Sequence, residues 1–108
     1  SMDVSLIRLI ANPDNYQGRK VRVIGVAILE FEDNNLWVSK EALKYRVLKN
    51  AIWIEPNFEK LGASSEALSK YNGKYVLIEG TFNKNNSGHM GLSVSAIENV
   101  TRYQLWEK

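Results

Sequence analysis

The chain contains no cysteine, so disulfides and thiolate-held metals are excluded, while the redox compartment stays open. It has a single histidine, His89, which leaves no imidazole cluster for a metal or a proton relay. Charge of one sign is also scarce. Fourteen Lys and Arg against twelve Asp and Glu leave +2, a weak footprint for a dedicated nucleic-acid domain. No apolar run approaches the roughly 18 residues of a membrane span, and no signal-like segment precedes the first apolar stretch. The cytoplasm is therefore the favoured compartment, with export after signal removal as the alternative. Ser1 reads as a cloning residue, and Met2 as either the natural start or another added residue.

What is present suits one folding unit over residues 1–108. An apolar fraction of 44% can fill a modest core, and a charged fraction of 24% is too balanced in sign for a disordered chain. The most informative pattern is a repeat. Tyr16, Gly18, Arg19, Val21, Val23 and Gly25 recur 55 residues later as Tyr71, Gly73, Lys74, Val76, Ile78 and Gly80. Each copy follows a short helix-like segment and opens a strand. The fold expected is therefore all-β: a five-stranded OB-type β-barrel with two short helices.

The helices are expected over Val4–Ala11, ended by Asn12-Pro13, and over Ser64–Lys70, ended by Asn72-Gly73. Strands are expected at Lys20–Phe31, Leu36–Lys40, Asn50–Glu55, Lys74–Phe82 and Met90–Arg102. In the first, Val21, Val23, Gly25, Ala27, Leu29 and Phe31 share the inner side. Ile24, Val26 and Ile28 make its other side apolar too, which requires cover from Leu6, Ile7 and Ile10 or from a second copy of the chain. Gly25 and Gly80 fall mid-strand, where a sharp bend or a close neighbour is the usual reason for glycine. Glu32 to Asn35 reads as the first hairpin turn, and the tail from Tyr103 extends the last strand or lies across the barrel.

Asn12-Pro13, Tyr16, Gly18, Val21, Val23, Gly25, Asn50-Ala51, Trp53, Tyr75-Val76, Glu79-Gly80-Thr81-Phe82, Gly88-His89-Met90-Gly91 and Thr101-Arg102 together form a string of blocks across nearly the whole chain. In these the chain resembles small bacterial OB-fold proteins of unassigned function, related in pattern to tRNA-anti-like modules. The resemblance implies the barrel. It also implies oligonucleotide, oligosaccharide or protein partners for the fold at large, and it transfers no catalytic residue or cofactor.

Read residue by residue, the chemistry points to binding and not to an enzyme, with no cofactor or metal expected. His89 lies in a glycine-flanked loop with no nucleophile at a recognisable spacing, so a structural loop role is expected, with Met90 filling the core beside it. Glu30, Glu32 and Asp33 keep a hairpin soluble. Gly62-Ala63-Ser64-Ser65 lacks the lysine and glycine spacing of a phosphate loop. The aromatic signal is stronger. Trp37 and Trp53 alternate against Leu36, Val38, Ile52 and Ile54, which sets both indoles on the outer face of neighbouring strands, beside Lys40, Arg46 and Lys49; the competing reading is a different strand register, with one or both tryptophans packed beneath the second helix or the tail. Strands two and three of such barrels commonly form a ligand platform, where stacking contributes about 1–3 kcal/mol per base. These five residues are the expected ligand site, for a single-stranded nucleic acid or another oligomer. The alternative is a protein-interaction or self-associating module, homodimer included.

Overall fold

The structure, a computed structural model, describes residues 1–107. In chain order its strands and α-helices are β1 (Met2–Asp3), α1 (Leu6–Ala11), β2 (Lys20–Glu30), β3 (Asp33–Trp37), α2 (Lys40–Lys44), β4 (Ala51–Pro56), α3 (Phe58–Leu61), α4 (Ser65–Leu68), β5 (Tyr75–Asn83) and β6 (Ala96–Leu105). The strand order β1-β2-β3-β4-β6-β5 closes through a β2–β5 pair. β4 and β6 run parallel, and the other barrel neighbours run antiparallel. The result is a closed five-stranded mixed β-barrel, compatible with an OB-like fold, with β1 added in parallel along β2.

The repeated phrase explains the closure. Its two copies lie antiparallel against each other, Val21 opposite Gly80, Val23 opposite Ile78 and Gly25 opposite Val76, so a local two-fold passes between Val23 and Ile78. All four branched side chains are buried. Both glycines are needed for space. A β-carbon on Gly25 would lie 2.7 Å from Leu36 Cγ and 2.9 Å from the Trp37 carbonyl oxygen, and one on Gly80 would lie 2.7 Å from the Glu98 carbonyl oxygen. These are the close approaches that mid-strand glycine makes room for.

Several expectations are corrected. The hairpin turn sits at Phe31 and Glu32, because Asn34 and Asn35 join the ladder opposite Leu29 and Ile28. Phe31 therefore projects from the turn, 92% exposed, and does not line the interior. The strand expected at Leu36–Lys40 ends at Trp37, where Ser39 caps α2 by accepting from the Ala42 N–H at 3.0 Å. The basic segment from Lys40 to Lys49, which joins β3 to β4, is thus partly helical and functions as a cover. α2 brings Ala42 over Val26, Ile28, Trp37 and Ala51, forming a second small core outside the barrel. α1 does not supply that cover: Leu6 and Leu9, three apart on one helical face, belong to the main core, whereas Ile7 is 66% exposed. Of the three outer residues on β2 only Ile24 stays partly open, at 39%.

Helix α3 was not expected, and α4 passes into a 3-10 turn at Ser69–Tyr71. The last strand begins at Ala96, so the segment expected to open it is loop. Met90 lies in a 3-10 turn with φ 55 and is 81% exposed, turned out of the core it was expected to fill. The tail extends β6 to Leu105, after which the Trp106 N–H donates to the Tyr75 carbonyl at 2.9 Å and Glu107 accepts from the Tyr75 N–H at 2.6 Å.

Candidate ligand face and its covers

The register of β3 on β4 puts Asn35 opposite Trp53 and Trp37 opposite Ala51, so both indoles do project on the outer face, away from the buried Leu36 and Ile52. The expected open platform is nevertheless closed from two sides. On one side, α2 ends in a Schellman turn, with the Val47 N–H donating to Ala42 and the Arg46 N–H to Leu43. Arg46 takes φ 54 there, which swings its guanidinium over the Trp37 ring at 5.1 Å while Nη1 reaches Asp33 Oδ2 at 3.0 Å. Trp37 is consequently 0% exposed, and its Nε1 has no hydrogen-bond partner among the described residues.

On the other side, the loop between β5 and β6 folds across Trp53. Gly88 lies so close that a β-carbon there would be 2.7 Å from Trp53 Cδ2. Trp53 Nε1 donates to Glu55 Oε2 at 3.1 Å. Asn86 Nδ2 bridges Glu55 and Glu98 at 3.0 and 2.8 Å, and the buried Ser93 hydroxyl donates to Asn35 Oδ1 at 3.2 Å. His89 Nε2 meets Glu32 Oε2 at 3.2 Å. The two covers thus grip the same hairpin, Asp33 from the connector and Glu32 from the loop. His89 lies at this junction, its ring beside the Glu32 carboxylate.

Of the expected cations, Lys40 is committed to Glu107 at 2.9 Å and lies over the Tyr75 ring, and Arg46 is committed to Asp33. Lys49 is exposed and pairs with no carboxylate among the described residues. Structure therefore brings Trp37 and Arg46 together, leaves Trp53 half-buried under the loop, and leaves Lys49 as the one expected cation facing solvent without a carboxylate.

Two further features lie elsewhere. Register sets Glu79 between Arg22 and Arg102 on neighbouring strands, with contacts of 2.8 and 2.7 Å. The Arg22 and Arg102 hydrogen bonds hold its carboxyl at a pKa of about 2, which makes it a fixed anion and not a proton donor. Burial pushes the Tyr103 phenol upward. The second feature is a groove of about 530 Å³ on the outer wall, lined by Val4, Ile7, Ile24, Val38 and Leu77, with Asp3 and Arg22 beside it. The apolar outer side of β2 was its signal in the sequence.

No family model, curated protein or solved structure matches this chain.

Proposed function

We propose that the protein is a non-enzymatic protein-interaction module whose outer barrel wall docks a second copy of the chain. One observation carries this: Ile7 and Ile24, 66% and 39% exposed, line an apolar groove on β2, where burial against a partner is favourable. A two-fold interface needs a patch complementary to itself, which an apolar centre supplies here, while Asp3 and Arg22 beside it are already paired with each other within the chain at 3.4 Å. The oligonucleotide reading has less behind it, since Trp37 is covered and two of its three cations are engaged. The assignment of the barrel to bacterial OB domains of the tRNA-anti pattern belongs to the same proposal and rests on the repeated phrase.

Sedimentation velocity between micromolar and millimolar protein tests it. The wild type should shift from monomer to dimer, and Ile24→Asp should stay monomeric. A wild type that remains monomeric throughout, together with a saturable change in tryptophan fluorescence on adding oligothymidylate at low salt, would favour nucleic acid instead.

A further inference from the structure

We propose that a second groove, between the β2–β3 hairpin and the α3–α4 corner, binds a basic and apolar segment of a partner protein, with an arginine or lysine side chain laid between Phe31 and Phe58. The inference rests on the protein-binding reading but uses a different surface, so the two can fail separately. The groove has a volume of about 470 Å³, lined by buried Leu29, by the Phe58 ring and by Phe31, whose ring stands almost fully exposed at the rim. Every charged residue that lines it is acidic: Glu30, Glu32 and Glu66. That local sign opposes the net +2 of the chain, so a cationic segment would be drawn to this groove and not to the protein at large.

Phe31 is the anchor. It stands in a two-residue turn closed by the Glu30–Asp33 pair, and the hairpin is tied by Arg46 to Asp33 at 3.0 Å, with His89 Nε2 lying 3.2 Å from Glu32. The ring is therefore presented on a held turn, which reduces the ordering cost of binding. A guanidinium or ammonium group over a phenyl face is attracted by the ring quadrupole, and its methylene stem covers apolar surface while the head stays near carboxylates. One side chain type satisfies both halves of the groove.

The test uses a fluorescein-labelled hexapeptide alternating arginine and leucine, with a glutamate-for-arginine version as control, read by anisotropy on the full chain. The arginine peptide should bind at low salt and weaken as salt rises, and the glutamate peptide should not bind. Phe31→Ala should weaken binding about fivefold and the double change Glu30→Lys, Glu66→Lys at least tenfold. All three side chains are exposed, so folding is not at stake, and urea midpoints measured alongside confirm that. Ile24→Asp should bind the peptide as the wild type does, whether or not the wild type dimerises. Absence of binding at low salt, or equal binding by Phe31→Ala and the double variant, overturns the proposal. So does a loss of self-association in Phe31→Ala with peptide binding unchanged, because the groove would then be an interface between copies.

Discussion

Gly80→Ala isolates space from backbone conformation. Gly80 is not at positive φ, so alanine fits its dihedral angles and the whole penalty is the added methyl group. That carbon would meet the Glu98 carbonyl oxygen and Ile97 Cγ2 at 2.7 Å each, and Val100 Cγ2 at 3.2 Å, against a comfortable separation of about 3.5–4.0 Å between carbons. The carbonyl belongs to β6, which pairs Thr81 with Glu98 next to the register shift, so relief means moving a strand and not turning a side chain. Overpacking of this kind costs about 1–3 kcal/mol and occasionally more. With two overlaps, one against backbone, about 3 kcal/mol is expected. Alanine's stiffer unfolded chain returns about 0.4–1 kcal/mol, leaving a net loss of about 2 kcal/mol, or roughly 10 °C in Tm for a domain of this size. Urea unfolding followed by tryptophan fluorescence, with calorimetry, gives both numbers. The control is Gly18→Ala, at φ +75, where an added β-carbon would meet nothing within 4 Å among the described residues beyond its chain neighbours and only the left-handed backbone is penalised, by about 1 kcal/mol. A Gly80→Ala protein within about 0.5 kcal/mol of wild type, or no worse than Gly18→Ala, would refute the steric account of the repeated glycine.

Three further outcomes are expected. Glu79→Gln should destabilise by about 1 kcal/mol at neutral pH, a figure discounted for the partial exposure of the network. Because the folded pKa of about 2 lies below the ordinary 4.5, this contribution is complete above pH 4.5 and is lost as pH falls from there toward 2, so wild-type and variant urea midpoints should converge in acid. Arg46→Ala removes the cation over Trp37 and the Asp33 contact, for about 1–2 kcal/mol, and should raise iodide quenching of tryptophan as the cover loosens. Arg46→Gly should lose less than Arg46→Ala by about 1 kcal/mol, since glycine accepts φ 54 without strain.

The sequence alone determined the parts of this protein that depend on local pattern. Alternation marked the inner sides of the strands, and the repeated Tyr-Gly-Val-Gly phrase marked two strands that begin alike, because a glycine is tolerated mid-strand mainly where a neighbour comes too close for a β-carbon. Their mutual pairing about Val23 and Ile78 was a matter for the tertiary structure, since period-two patterns carry no partner identity. The outward direction of Trp37 and Trp53 was likewise legible, while their availability was not.

What covers a face is decided by segments distant in sequence. The connector after Trp37 reads as polar and basic, with Lys40, Lys44, Arg46 and Lys49, yet Ala42 turns inward once Ser39 caps α2, and Arg46 adopts a left-handed backbone to reach the indole and Asp33. Met90 and Phe31 reversed their expected burial because tight turns, not strand alternation, set the direction of their side chains. The glutamate between two arginines and the acidic groove beside Phe31 arise where separate elements converge. Local preferences specify each element's inner side, but only chain closure determines which outer side meets a helix, which meets a loop and which is left facing water.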